Sequence, residues 1–246
     1  MMVQRDGVPA RQTIVGRALP RLPSGEQIRL LTQSWSEAGT GGTVWTSALA
    51  LCRWMANSTE IIERTAILEL GCGTGAAGLQ AAGLGAESVC LTDGGPKELL
   101  SLVEKNIERN RHAFPDSVVT VAPLRWGCDA APRDRHFDLV IGSDVAYHAD
   151  GRDALCQTLH EILSRQGQGG RCACRAILAH EHRAKAGSLE AFTDAAALHG
   201  MSVRLLTVEE GMVDDPLEAS AYAYKVSIVE VSLQQQAATE GIGEGS

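Results

Sequence analysis

The sequence predicts an α/β fold of the Rossmann-like, doubly wound kind, with a mostly parallel seven-stranded sheet and a C-terminal antiparallel hairpin. Three observations predict it. From about Thr65, short runs rich in β-branched residues alternate with segments whose apolar residues recur every three or four positions. A glycine-dense turn directly follows the first of these runs. After Gly200 the alternation stops, and two strand-like runs follow each other without a helical segment between them.

Each predicted element rests on its own pattern. The apolar runs TAILEL, SVCLTD, SVVTVA, FDLVIGSD and CACRAILAH predict five strands, and MSVRLLTV and YAYKVSIVEV, separated by an acidic loop, predict the hairpin. Helical periodicity predicts the segments AAGLQAAGL, PKELLSLVEKNIERNRHA, DALCQTLHEILSRQ and SLEAFTDAAALHG, and a further helix over residues 44–57 that follows the loop GTGGT. We expect these helices to cover both faces of the sheet.

The chain is expected to form one domain over residues 25–232, with disordered tails at 1–24 and 233–246. A length of 246 residues with 44% hydrophobic content is enough to bury a large core, whereas both tails are polar or glycine-rich. The first 22 residues carry four arginines against one aspartate, a composition shared with mitochondrial transit peptides. Pro9 and Pro20 interrupt a long helix there, which favours a disordered arm.

Composition excludes some classes of function. A net charge of −8 argues against broad, non-specific binding of nucleic acid, and no apolar stretch reaches 18 residues, so neither nucleic acid nor a membrane is expected as a partner. Seven cysteines without a C-x-x-C spacing predict reduced, buried thiols. Cys172, Cys174, His180 and His182 would lie too far apart along one strand for a tetrahedral zinc site, so no metal is expected.

The stretch ILELGCGTGAAGL predicts a cofactor loop. Gly71, Gly73 and Gly75 allow a tight turn and a close approach of the backbone to a ligand, and the helix that follows presents its N-terminus. Read from Gly73, GTGAAG also satisfies the G-x-G-x-x-G pattern of nicotinamide-dependent dehydrogenases. Glu69 instead gives E-x-G-x-G-x-G, and the loop lies well inside the chain, behind a helix that carries tryptophans. Both features argue against the dehydrogenase.

Asp93 ends the second predicted strand, 18 residues after Gly75. A carboxylate at that place can accept hydrogen bonds from both hydroxyls of a ribose. The alternative is a turn-forming role, since Asp93 precedes Gly-Gly-Pro. Position and motif agree, so we expect Asp93 to bind the ribose of an adenosine-bearing cofactor.

The stretch FDLVIGSDVAYHAD ends a predicted buried strand in a carboxylate. Burying an unpaired carboxylate costs several kcal/mol, so Asp144 requires a partner. Ligands in open α/β sheets bind beyond the carboxyl ends of the strands, where Asp144 and Tyr147 could hold an incoming ammonium group by charge and cation–π attraction. The alternative is that Asp144 caps the next helix and Tyr147 packs beneath it. His148 is interpreted as a hydrogen-bonded neighbour rather than as the base.

With ELGCGTG, LTDG, RWG after the third strand and GSDVAYH after the fourth, the sequence resembles the seven-strand S-adenosylmethionine-dependent methyltransferases. Within them it is similar to methyltransferase family 16, whose known members are mostly protein-lysine methyltransferases. The resemblance covers roughly residues 40–231 and includes GGTVWTSALALCRWM, which is similar to that family's Gly-Gly-x-Val-Trp helix. Asp144 and Tyr147 form its D-x-x-Y motif. Thr46 is a departure, because the family usually has proline there.

The resemblance implies roles for several residues around S-adenosylmethionine. Trp45 would border the cofactor, and Gly71, Cys72 and Gly73 would wrap its methionine part. Asp93 would hold the ribose. Trp126 would lie on the adenine side, although a core aromatic is the alternative. Ser143 would lie next to the transferable methyl group.

We therefore interpret the chain as an S-adenosylmethionine-dependent methyltransferase that modifies a lysine side chain of a protein substrate. One alternative is a small-molecule or other-residue methyltransferase, since fold does not determine the acceptor. A second is a non-catalytic adaptor that retains the cofactor fold, and a third is the dehydrogenase. The expected location is the cytoplasm or nucleus, with mitochondria as the alternative that the arginine-rich N-terminus raises.

Overall fold

A seven-stranded sheet forms the centre of the computed structural model, which describes residues 19–34, 38–133, 135–166, 174–182, 189–215 and 220–234. The strand order is β3-β2-β1-β4-β5-β7-β6, and all neighbouring pairs are parallel except those that involve β7. The fold class predicted from the sequence is confirmed. The strands are β1 (Ala66–Leu70), β2 (Ser88–Asp93), β3 (Val118–Pro123), β4 (Leu139–Ser143), β5 (Arg175–Glu181), β6 (Met201–Asp215) and β7 (Ser220–Leu233).

Helices cover both faces of the sheet, as expected. The helices are α1 (Thr46–Ala56), α2 (Ala76–Gly83), α3 (Lys97–Asn110), α4 (Ala149–Gln166) and α5 (Leu189–Leu198). Residues of α1, α2 and α3 pack in one hydrophobic cluster with Ile67 and Ile141, whereas residues of α4 and α5 pack in a second cluster with Leu68 and Val140. Successive strand residues thus enter opposite clusters, which explains why β1 and β4 are apolar almost without interruption.

The C-terminal hairpin is longer than the sequence predicted. Its two strands pair from Met201↔Leu233 to Asp215↔Ser220, so most of the predicted acidic loop belongs to β6. Opposite charges on the two strands help to extend the ladder, because Glu210 pairs with Lys225 at 2.8 Å. Strand β5 pairs with β7 only as far as Glu181↔Val226, and the hairpin therefore continues beyond the carboxyl end of β5.

The described chain packs on the domain before residue 25, the predicted start of the domain. Leu19 and Leu22 are each 3% exposed and belong to the cluster beneath α1 and α2. The reason is steric fit, since the Leu22 side chain lies against Gly83, where a Cβ would meet it at 2.6 Å. The remaining parts of the two predicted tails, residues 1–18 and 235–246, lie outside the described residues.

The structure can be compared with two predictions, that the cysteines are buried and that no segment spans a membrane. Free cysteines at 52, 72, 90, 156 and 174 are buried, whereas Cys128 is exposed in the loop after β3, which differs from the prediction that these thiols are buried. Cys172 lies outside the described residues. Across the described ranges, no helix combines the length and the apolar character needed to cross a bilayer.

Candidate active site

A cavity of about 820 Å³ opens beyond the carboxyl ends of the central strands. Chain connections leave β1 toward β2 on one side, whereas β4 lies on its other side, so the cavity is at the topological switch point of the sheet. Its walls come from the segment before α1 and from the loops after β1, β2, β3 and β4. The cavity brings together ten residues that the sequence singled out: Trp45, Glu69, Gly71, Cys72, Gly73, Asp93, Trp126, Ser143, Asp144 and Tyr147.

The loop after β1 lies closer to its neighbours than any side chain would permit. Gly71 and Gly73 have φ values of 62° and 53°. A Cβ on Gly71 would lie 2.8 Å from Val145 Cγ1 and 3.1 Å from Trp126 Cζ2, and one on Gly73 would lie 3.0 Å from the carbonyl oxygen of Gly41. These glycines therefore leave a cradle of bare backbone in the cavity wall. Gly75, the third predicted loop glycine, precedes α2 as its N-cap residue.

Glu69 forms part of the cavity floor although only 1% of it is exposed. Its Oε2 accepts the backbone N–H of Gly78 at 2.9 Å, which ties the end of β1 to the first turns of α2. Burial raises the pKa of Glu69 to about 8; the Gly78 hydrogen bond acts in the opposite direction, and the charge of Asp93 adds to the rise. The carboxyl group is therefore expected to be largely protonated at neutral pH.

Asp93 is held by backbone on both sides of the cavity. Its Oδ2 accepts the N–H of Gly73 at 3.0 Å, and its Oδ1 accepts the N–H of Gly95 at 2.8 Å. The second of these bonds is the turn-forming contact that the sequence offered as the alternative role. Because a carboxylate oxygen can accept more than one hydrogen bond, Asp93 retains acceptor capacity toward the cavity, and binding of ribose hydroxyls stays a prediction.

Two tryptophans border the cavity with different hydrogen bonding. Trp45 Nε1 donates to the carbonyl oxygen of Thr40 at 3.0 Å, which closes the turn before α1. The Nε1 of Trp126 is buried and has no acceptor within the described part of the chain. The Trp126 ring packs partly on the core and partly over Gly71. A buried N–H without an acceptor is costly, and this one is shielded from the cavity by its surroundings.

The loop after β4 carries backbone strain at the predicted catalytic residue. Asp144 has φ 55°, is 8% exposed, and donates its backbone N–H to Ala179 of β5 at 2.8 Å. Aspartate adopts the left-handed region more readily than most L-residues, and residues held there cluster at functional sites. Helix α4 begins only at Ala149, so Asp144 does not occupy its N-cap position.

Aromatic rings form one side of the cavity mouth. The Tyr147 and His148 rings are 4.6 Å apart between centroids and tilted by 51°, and both residues line the cavity together with Ser143 and Asp144. Tyr147 is half-buried, whereas His148 is exposed. A carboxylate beside two aromatic rings can attract and orient a cationic group.

The structure adds a wall that sequence reasoning missed. Residues 38–44, which precede the predicted Trp45, were interpreted only as the entry to a helix, yet most of them line the cavity, and Leu99 of α3 packs against Gly41 within that wall. The glycine density of GTGG is the signal that could have indicated a close backbone approach.

Of the residues weighed for a zinc site, Cys174 lies just before β5, His180 on it and His182 just after it. No group of three or more His, Cys, Asp or Glu suited to a metal occurs within the described ranges. Burial raises the pKa of Cys174 to about 12, and His182 is within 2.7 Å of the Ser227 hydroxyl.

The chain is similar in sequence to known lysine methyltransferases and similar in fold to solved structures. A model of a family described as lysine methyltransferase matches residues 25–192. The chain is 34% identical over 136 residues to protein N-lysine methyltransferase METTL21A of Danio rerio, covering 54% of this chain and 61% of that protein. It is 30% identical over 142 residues to EEF1A lysine methyltransferase 3 of Xenopus tropicalis, covering 58% and 61%. The chain thus spans about three fifths of the length of these relatives.

Fold similarity extends to solved structures. The ribosomal protein L11 methylase of Lactobacillus delbrueckii subsp. bulgaricus superposes with a TM-score of 0.54 at 15% identity, covering 88% of this chain and 90% of that one. At this identity the similarity concerns the fold alone.

Proposed function

The chain belongs to the lysine methyltransferase family whose model matches residues 25–192, and from this premise we propose that it transfers a methyl group from S-adenosylmethionine to a lysine side chain of a protein substrate. One observation carries the proposal. A single cavity is lined both by the glycine loop with Asp93 and by Asp144 with Tyr147. The cofactor residues and the acceptor residues therefore share one chamber, as a direct transfer requires.

The residues of the cavity fit S-adenosylmethionine. Gly71 and Gly73 line the cavity with backbone that carries no side chain, and Asp93 has acceptor capacity for ribose hydroxyls. The Trp126 ring borders the cavity beside Gly71, where an adenine ring can pack against it. When bound, S-adenosylmethionine supplies a methyl group carried on a sulfonium centre.

The acceptor side must deliver a neutral amine. A lysine with a pKa near 10.4 loses its proton at pH 7 at a cost of about 4.6 kcal/mol. We propose that Asp144 attracts the ammonium form, that Tyr147 holds it by cation–π attraction, and that the proton leaves to water at the exposed mouth. After that step Asp144 can accept a hydrogen bond from the amine and orient its lone pair.

The test is transfer of label. Purified protein is incubated with tritiated S-adenosylmethionine and cell extract, beside the variants Asp144→Ala and Gly73→Arg, and labelled bands are mapped by mass spectrometry. We expect a protein band that carries label on lysine and is lost in both variants. The control is Asp150→Ala, which removes an exposed acid in the first turn of α4 that does not line the cavity. EEF1A, which the name of one relative carries, is the first purified acceptor to test.

Three outcomes would contradict the proposal. Label only in small molecules would indicate a small-molecule methyltransferase on the same fold. Binding of S-adenosylmethionine without label on any acceptor would favour the adaptor, and binding of a nicotinamide in its place would favour the dehydrogenase.

The proposal also covers the kind of acceptor protein and the cellular compartment. The net charge of −8 supports a protein acceptor with a basic surface rather than a nucleic acid. Five buried free cysteines are compatible with a reducing compartment, so we propose the cytoplasm or nucleus. Imaging of the full chain with a C-terminal tag tests this location, and a mitochondrial signal would contradict it.

A further inference from the structure

Two buried asparagines on α3 hold a segment of irregular chain, residues 27–34, which we name the strap. Asn106 and Asn110 are 0% and 1% exposed and lie one helical turn apart. Asn106 Oδ1 accepts the N–H of Leu31 at 2.7 Å, and its Nδ2 donates to the Leu31 carbonyl at 3.1 Å. Asn110 makes the same pair with Arg29, at 2.7 and 2.9 Å. Each carboxamide thus bonds to both the N–H and the C=O of one strap residue, as the backbone of a neighbouring strand would.

The third hydrogen bond distinguishes the two asparagines. Asn106 Nδ2 also donates to the carbonyl oxygen of Thr74, in the glycine loop, at 2.9 Å. Asn110 Nδ2 instead donates to the carbonyl oxygen of Asn106 at 2.7 Å, within its own helix. Each side chain therefore makes three hydrogen bonds, but only Asn106 reaches a residue that lines the cavity.

The strap is in turn connected to the cavity wall formed by residues 38–45. Gln33 donates its backbone N–H to the carbonyl oxygen of Gly42 at 3.0 Å, and a Cβ on Gly42 would lie 2.7 Å from the Gln33 carbonyl oxygen. Leu31 also packs on a small cluster formed by Ala38, Leu99 and Leu102. A displacement of the strap would therefore move residues 38–45, which form that wall.

We propose that Asn106 is a positioning residue of the cofactor site, because its carboxamide holds the glycine loop and the strap-supported wall in one arrangement. Its acceptor and its donors are all used in a buried environment, so a different placement of either segment would leave polar groups unpaired. Loop and wall then stay assembled before the ligand arrives, which lowers the cost of ordering them on binding. The inference rests on the proposed function, since the ligand considered is S-adenosylmethionine.

The experiment compares Asn106→Ala with Asn110→Ala. Because both variants lose three hydrogen bonds in the same helix, we expect similar decreases in Tm. The Kd for S-adenosylhomocysteine, measured by calorimetry, is expected to rise about tenfold in Asn106→Ala and less than threefold in Asn110→Ala. With a protein acceptor, the KM for S-adenosylmethionine should rise in the same ratio, while kcat at saturating cofactor stays within about twofold, because Asp144 and Tyr147 are untouched.

The outcomes separate this inference from the proposed function. Equal increases of Kd in the two variants, with a wild-type protein that binds the ligand, would overturn the positioning role of Asn106 and leave the function standing. No binding of S-adenosylmethionine or S-adenosylhomocysteine by the wild-type protein would overturn the function and the ligand assigned here together. If an alanine variant does not fold, the isosteric pair Asn106→Asp and Asn110→Asp replaces the same amide donors and gives the same comparison.

Discussion

At the scale of single residues, Asp144 combines two features that fold stability alone does not favour. Its backbone is left-handed, and its carboxylate is largely buried in a cavity wall. Asparagine tolerates the left-handed region about as well as aspartate, whereas alanine does not. The backbone contribution and the charge contribution can therefore be separated by substitution.

We predict that Asp144→Asn retains stability and loses activity. The free energy of unfolding should change by less than about 0.5 kcal/mol, because the side-chain shape and the backbone preference are kept, whereas Asp144→Ala should lose roughly 1 kcal/mol. Methyl transfer should fall at least tenfold in both. Urea unfolding and label transfer measure the two quantities, and full activity of Asp144→Asn would show that the charge is not needed.

Glu69 leads to a prediction about pH. Its folded pKa of about 8 is raised above the ordinary value of 4.5, so its contribution to stability is fully present below pH 4.5 and is lost as the pH rises toward 8. Glu69→Gln stays neutral and keeps an acceptor for the Gly78 N–H. We therefore expect the Tm of Glu69→Gln relative to wild type to increase between pH 5 and pH 8 and then to level off. A difference in Tm that does not depend on pH would contradict the raised pKa.

At the scale of elements, the site depends on the close packing of the loop after β1 against neighbouring segments. The loop after β1 passes beneath Trp126 and Val145 at Gly71 and against the wall segment at Gly73. Gly39 has a φ of 61°, almost the same as the 62° of Gly71, but its Cβ position has no neighbour within 4 Å. Substituting each glycine in turn therefore distinguishes the cost of the left-handed backbone, which both share, from the cost of steric overlap, which only Gly71 has.

We predict that Gly71→Ala destabilises the protein more than Gly39→Ala does. Both variants incur the left-handed penalty of about 1 kcal/mol, and only Gly71→Ala adds overlap with Val145 and Trp126, of roughly 1–3 kcal/mol. Chemical denaturation of both variants measures the difference. Equal destabilisation would mean that the Trp126 ring can move aside at no cost.

At the scale of the whole molecule, the strand order decides where chemistry can occur. The order places β1 and β4 side by side, so the loops after both strands share one end of the sheet. Helices pack on both faces, and the carboxyl edge is where loops are left to bind a ligand.

We predict a ligand-specific increase in thermal stability. At a concentration of 100 Kd, S-adenosylhomocysteine should stabilise the native state by about 2.7 kcal/mol, which corresponds to roughly 5–10 °C in Tm for a chain of this size. Differential scanning fluorimetry measures the shift, with Gly73→Arg as the variant expected to lose it. A nicotinamide dinucleotide at the same concentration should leave Tm unchanged, and a shift with it instead would revive the dehydrogenase interpretation of GTGAAG.

Much of the fold followed from local patterns in the chain. The alternation of strand-like and helical periods predicted the sheet, and the glycine loop with acids at the ends of strands predicted which residues line the cavity. These patterns can be recognised locally because the faces of a strand and the residue preferences of a tight turn involve residues that are close together in the chain. Asp93 and Asp144, 51 positions apart, could be assigned to one site because the carboxyl ends of parallel strands meet at one edge.

Other features were decided only by the tertiary structure. No periodicity indicates that Asn106 bonds to both Leu31 and Thr74, that the indole N–H of Trp126 has no acceptor among the described residues, or that Asp144 is left-handed. The length of the hairpin likewise depends on pairing between β6 and β7 rather than on the acidic composition of the loop. The physical reason is common to all of them: hydrogen bonds and contacts between segments far apart in the chain exist only after the segments have packed together.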